Sequence, residues 1–175
     1  MMFDTGPEGD AWERSAKRLG VDLSTVEVIQ LSHWHRDHSG GMLRAIEMIT
    51  SAKKDKSLSP SVEVDLHPSR PDYRGFNFGG KNVSMPADPT FAGIENAGGV
   101  ILKNSKPHTV LGGMFAVSGY IPGTAPYETG LSNGIQFYEK TGKWEEDKEM
   151  ADERFLMCNL KGRCSNRADL NNTHS

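Results

Sequence analysis

Long apolar runs are missing from this chain of 175 residues, and nothing in it approaches the ~18 consecutive apolar residues of a membrane span. Cysteine is almost absent: Cys158 and Cys164 are too few for a disulfide framework and read as reduced bystanders, not as a redox pair or metal ligands. Neither charge sign dominates, since 20 Lys and Arg face 23 Asp and Glu for a net charge of -3. The basic residues are spread along the chain, so no nucleic-acid partner is expected. The opening Met1-Met-Phe-Asp-Thr5 has no charged region followed by an apolar stretch, which makes the cytoplasm the expected compartment, with no membrane partner. No internal repeat is visible, and the oligomeric state is not written in the sequence.

What is present suits one modest domain. The length falls within the ~100 to 200 residues usual for a domain. A hydrophobic fraction of 36% with a mean hydropathy of -0.54 indicates a small core. The 19 glycines signal many tight turns, as in an α/β protein whose chemistry lies on loops.

The densest chemistry is Leu31-Ser-His-Trp-His-Arg-Asp-His-Ser-Gly-Gly41, which holds His33, His35, Asp37 and His38 in the pattern H-x-H-x-D-H. Imidazole nitrogen and carboxylate oxygen are the donors that borderline divalent ions accept. Helix capping or solvation would require neither that donor set nor that spacing. Val26 to Leu31 is apolar and β-branched enough for a buried strand. Met42, Leu43, Ile46 and Ile49 form one stripe of a following helix to about Ala52, with Arg44, Glu47 and Lys53 placed on its surface. The donors therefore belong on a strand-to-helix loop, where Gly40 and Gly41 are expected to permit a tight turn.

Elsewhere, Asp10 is placed as N-cap of a helix over Ala11 to Leu19, with Trp12 and Leu19 on its buried face and Gly20 as its stop. Lys53 to Pro60 reads as a polar linker and Ser61 to Leu66 as an alternating strand ended by His67-Pro68. Residues 69 to 98 carry no sustained period and read as a long excursion, either an aromatic lid or a loosely packed insertion, with a short helix near Ala87 to Asn96. Gly99 to Leu102 and Met114 to Val117 are expected strands, joined through Lys103 to Gly113. His67 and His108 read as loop or strand-end histidines without metal, and Glu128 as a solvated turn acid. Lys143 to Glu153 reads as a solvated acidic segment, followed by a last strand over Arg154 to Leu160.

The segment Leu31 to Gly41 resembles the metallo-β-lactamase superfamily, whose signature is H-x-H-x-D-H after a buried strand. By that resemblance His33 and His35 would bind one metal, Asp37 and His38 a second, and a hydroxide held by the metals would be the nucleophile, with Asp37 also able to accept a proton. Phe3-Asp-Thr-Gly6 resembles the family's D-T-G turn, whose acid, here Asp4, supports the loop from behind the ligands. Asp4 to Gly9, Val117 to Pro122 and Tyr127 to Gly130 are similar to the branch named after 7,8-dihydropterin-6-methyl-4-(β-D-ribofuranosyl)-aminobenzene-5′-phosphate synthase.

The resemblance implies a partial αββα sandwich, a divalent metal cofactor (zinc, with manganese or iron as alternatives), a small-molecule substrate, and hydrolase or synthase-like chemistry. It also implies departures. Only Met1 to Phe3 precede Asp4, where the family has several strands, and Asn166 follows Cys164-Ser165 where a third histidine would stand. The chain is therefore expected to be truncated at both ends: an incomplete domain over residues 1–160 and a divergent, disordered tail over 161–175 that contains an unligated His174. An incomplete metal site opens a second reading, a metal-binding but catalytically impaired fragment or a non-enzymatic paralogue.

Overall fold

A computed structural model describes residues 1–122 and 130–158. The chain runs β1 (Met2–Phe3), α1 (Gly9–Leu19), a 3-10 turn (Leu23–Thr25), β2 (Val28–Gln30), α2 (Arg36–Ser39), α3 (Met42–Asp55) and β3 (Val62–Leu66). It continues through β4 (Tyr73–Phe78), β5 (Lys81–Ser84), α4 (Phe91–Asn96), β6 (Gly99–Lys103), β7 (His108–Val110) and β8 (Phe115–Val117). The last described elements are β9 (Gly134–Tyr138), β10 (Lys143–Glu146) and β11 (Leu156–Cys158). Glu128, Cys164, Asn166 and His174 lie outside the described residues.

Strands β1, β2, β3 and β6 form a parallel sheet in that order, with Ile29 opposite Val64 and Val64 opposite Ile101. Parallel strands need crossover segments, and α1 and α3 supply them between β1, β2 and β3. The core lies between this sheet and α3: Ile29, Leu31, Val62, Val64 and Leu66 meet Met42, Ala45, Ile46 and Ile49, with Ile94 of α4 and Trp34 closing it. Full burial of each such Ile or Leu contributes about 1.5–3 kcal/mol. Antiparallel strands build the second sheet, β10-β9-β4-β5, and the third, β11-β8-β7. This is the mixed α/β class expected.

Several local expectations change. The first helix begins at Gly9 with Glu8 extended before it, so Asp10 sits inside the first turn, where its charge favours the helix dipole, and is not the cap. Gly20 does stop it, at φ 62°, but Leu19 is 78% exposed and does not join Trp12 against the core. Helix α3 runs past Ala52 to Asp55, absorbing the start of the supposed linker, and Lys53 is buried with its Nζ donating to the Ser61 carbonyl at 2.5 Å. The excursion after His67 contains a hairpin: Gly79 (φ 60°) and Gly80 (φ 88°) form the two-residue turn between β4 and β5. The short helix near its end is α4.

Charge burial produces the larger corrections. Alternation along β3 points Asp65 to solvent, yet it is 0% exposed, and its carboxylate receives Arg154 Nη1 at 2.8 Å, Asn104 Nδ2 at 2.9 Å and the His108 ring at 2.5 Å. His108 opens β7 and is thus a strand-end residue with a buried ionic partner. The acidic segment after Lys143 is not simply solvated either, because Asp147 and Asp152 are buried against Arg74 of β4.

Gly40 and Gly41 also act differently than expected. Gly40 has ordinary helical angles (φ -64°), and Gly41 likewise (φ -84°). A Cβ on Gly40 would fall 1.8 Å from the Pro7 carbonyl oxygen, and one on Gly41 would fall 2.3 Å from that of Thr5. Both positions exist so that residues 5–7 can lie directly on the loop. Gly40→Ala is expected to lower unfolding free energy by at least about 1–3 kcal/mol, as overpacking does. Urea denaturation checks this, and an unchanged midpoint would contradict it.

Candidate metal centre

The histidine loop leaves the carboxyl end of β2, the end at which ligands of open α/β sheets bind. Trp34 anchors it: the indole is fully buried, its Nε1 donates to the His67 carbonyl at 2.9 Å, and the ring meets Phe91 edge-on with centroids 5.7 Å apart. His33 and His35, on either side of this anchor, are thereby kept at the protein's surface layer. His35 then precedes the single turn of α2, which carries Asp37 and His38 back toward His33.

The three imidazoles gather. His33 lies 4.8 Å from His35 and 4.2 Å from His38 between ring centroids, at interplanar angles of 85° and 50°. Asp37 stays further out, with its side chain 67% exposed and Oδ2 3.5 Å from His38 Nε2. Among the described residues, no three His, Cys, Asp or Glu side chains form a group able to hold a metal ion. The donors share one place without closing around a common point.

Asp4 organises the far side of these rings. It occupies the left-handed region (φ 57°), a conformation Asp tolerates better than most residues. Its Oδ1 accepts from the Ser32 N–H at 2.7 Å, and its Oδ2 accepts from Ser32 Oγ at 2.8 Å and from His38 Nδ1 at 2.7 Å. Ser32 has one hydroxyl proton, given to Asp4, so the 2.9 Å contact between its Oγ and His33 Nδ1 requires the ring to donate. Both His33 and His38 are thus wired through Nδ1–H, which leaves each Nε2 lone pair outward.

Electrostatics agree with that wiring. Burial, with His38 close by, lowers the pKa of His33. Burial and the Arg74 charge push His35 down to about 4. Both rings are neutral at neutral pH, the state that ligates metals. Three neighbouring imidazoles, two of them with Nε2 freed by this wiring, and an adjacent carboxylate fit a borderline divalent ion by donor chemistry.

Three supporting residues escaped the sequence reading. Asp152, 2% exposed, accepts from the Trp34 N–H at 2.7 Å through Oδ2 and from Arg74 Nη2 at 2.5 Å through Oδ1. Burial alone would raise its pKa, but Arg74 and the Trp34 N–H outweigh this and hold it below the usual carboxylate value. Arg74 also faces Asp147, Nε to Oδ2 at 3.0 Å, a charge contact without hydrogen-bond alignment. Arg154 donates through Nη2 to the Leu31 carbonyl at 2.7 Å, and its backbone N–H donates to the Ser32 carbonyl at 3.0 Å. No local pattern announces these roles; the one available signal was a lone Arg in β4 that needed counter-charges.

No family model and no curated protein matches the chain. Among solved structures, a metal-dependent hydrolase of the β-lactamase superfamily superposes on 91% of this chain with a TM-score of 0.61 and 20% identity. The chain has the metallo-β-lactamase fold. A subclass B3 metallo-β-lactamase from a soil metagenome library aligns over 81% of the chain at 19% identity, with a TM-score of 0.33. The chain spans about half the length of each, 51% and 48%. In the metallo-β-lactamase fold seen here, the histidine loop follows the second strand of the parallel sheet.

The lowered pKa values give a signed expectation for the metal-free protein. Below the ordinary histidine value of 6.5 the unfolded chain takes up protons that folded His33 and His35 refuse, so stability present above that pH is lost as pH falls toward about 4. Asp88 and Asp147, raised by burial, act in the opposite direction, so the comparison must isolate one ring. In EDTA, the melting temperature of the parent is expected to fall more steeply below about pH 6.5 than that of His35→Gln. Parallel curves would contradict this.

Proposed function

We propose that the loop binds a divalent cation, with zinc favoured over manganese or iron, and that the protein is a metal-dependent hydrolase of a small-molecule ester, lactone, phosphoester or pterin-type substrate. The observation that carries the reading is the gathering of three imidazoles, two of which, His33 and His38, have their Nδ1 positions engaged from behind by Ser32 and Asp4. His33, His35, Asp37 and His38 would hold the metal. A divalent ion there supplies Lewis-acid polarisation of a carbonyl or phosphoryl oxygen and makes water acidic enough to ionise near neutral pH. Ser32 and Asp4 keep His33 and His38 in one tautomer, and the buried Trp34 indole anchors the loop between His33 and His35. Asp37, exposed beside His38, would be the carboxylate placed to take up a proton at this site.

The hydrolase description of the structural neighbour supports this reading by analogy of fold. The D-T-G turn, the histidine loop and Val117 to Pro122 support the dihydropterin synthase-like branch as the place to look for substrate. One observation favours a second reading, a metal-binding protein without turnover: no three donors are closed into a metal-holding group among the described residues.

Elemental analysis after dialysis against zinc tests the cation, with His35→Ala as control, and ester and phosphodiester turnover tests the chemistry. The expected result is zinc retained by the parent at fewer than two equivalents, markedly less in the control, and turnover that falls with it. Equal metal content in both proteins would overturn the reading. Two retained equivalents would overturn the incompleteness of the site, and metal without turnover would establish the second reading.

A further inference from the structure

We infer that Asp152, braced by Arg74, is a positioning residue of the metal loop, fixing the peptide N–H of Trp34, the residue that separates His33 from His35. The inference rests on the reading of that loop as a metal site.

The Trp34 amide belongs to no strand or helix, and the indole beneath it is fully buried. Its N–H therefore needs an acceptor from elsewhere in the chain, because a buried donor left unpaired costs about 1–3 kcal/mol. Asp152 supplies it from a sequence distance of 118 residues, at 2.7 Å. The two carboxylate oxygens divide the work, Oδ2 to Trp34 and Oδ1 to Arg74, so the guanidinium fixes the carboxylate's orientation and the carboxylate fixes the peptide. That peptide joins His33 to Trp34, and the next N–H, of His35, returns to the His33 carbonyl at 3.1 Å, so a shift of the His33–Trp34 peptide is passed to both histidines.

A purely charge-balancing role for Asp152 does not account for this arrangement. Arg74 already has Asp147 at 3.0 Å, so a second buried carboxylate is not needed for its neutralisation. Arg154, two residues along, grips Leu31 and Ser32 on the other side of His33, so the Asp152–Arg154 segment holds the loop backbone at two points.

The test measures zinc affinity by competition with a chromophoric chelator, together with the visible spectrum of the cobalt-substituted protein, in the parent, Asp152→Ala, Asp152→Asn and Ile94→Ala. Removal of a group that orients metal ligands typically weakens affinity about 10–100-fold, and that loss is expected for Asp152→Ala with an altered cobalt band. Asp152→Asn keeps an oxygen for Trp34 but not the pairing with Arg74, and should fall between parent and alanine variant. It carries the test if the alanine variant does not fold. Ile94→Ala, which empties a core position on α4, should lower stability while leaving affinity and spectrum unchanged. An aspartate variant that holds zinc as tightly as the parent overturns the positioning role, as does an equal loss in Ile94→Ala. A parent that binds neither zinc nor cobalt overturns the metal reading itself, and this inference with it.

Discussion

Just beyond β2 the backbone of Leu31, Ser32 and Trp34 leaves the parallel sheet, and three of its polar groups are met by charged side chains. Arg154 takes the Leu31 carbonyl, Asp4 the Ser32 N–H and Asp152 the Trp34 N–H. Each of those side chains has its own counterpart: Asp65 for Arg154, Arg74 for Asp152, Ser32 Oγ and His38 for Asp4. Removing one member of the buried pairs Asp65–Arg154 or Arg74–Asp152 costs about 3–5 kcal/mol, because the charge left behind has no water to turn to. The set stands or falls together, which explains why residues from β3, β4 and the approach to β11 converge on one short loop.

The same capture sets the chemistry. With the peptide groups occupied from behind, the imidazoles are pressed into contact with one another and partly withdrawn from water, and burial keeps His33 and His35 neutral. The Ser32 hydroxyl and Asp4 carboxylate then decide which ring nitrogens remain outward. Protonation and tautomer therefore follow from how the loop is held. The glycines at 40 and 41 serve the same end, allowing residues 5–7 to reach the loop closely enough for Thr5 to donate to the His38 carbonyl at 2.8 Å.

Elements governed by apolar periodicity were legible in the sequence. The buried run ending at Leu31, the stripe of Met42, Ile46 and Ile49, and the Gly20 stop all appear where the pattern places them. Errors arose where buried charge imitates a surface. Asp65 completes an apparent in-out alternation, and Asp147 and Asp152 sit in a run rich in Lys and Glu, yet long-range cations draw all three inside. Arg74 hid β4 in the same way, since an inward arginine breaks the alternation that marks a strand. The histidine cluster was legible as a donor set because its residues are nearly contiguous. Its brace was not, because Trp34 and Asp152 meet only through the fold.

Residue-resolved amide hydrogen exchange measures the capture of this backbone most directly. Ser32 and Trp34 lie outside every strand and helix, so ordinary loop behaviour would give exchange within minutes at neutral pH. If their N–H groups are held by Asp4 and by the buried Asp152, both should be protected nearly to the level of the core strands β2 and β3, opening only when the domain unfolds. Rapid exchange at Trp34 beside slow exchange at Ile29 and Val64 would contradict the account.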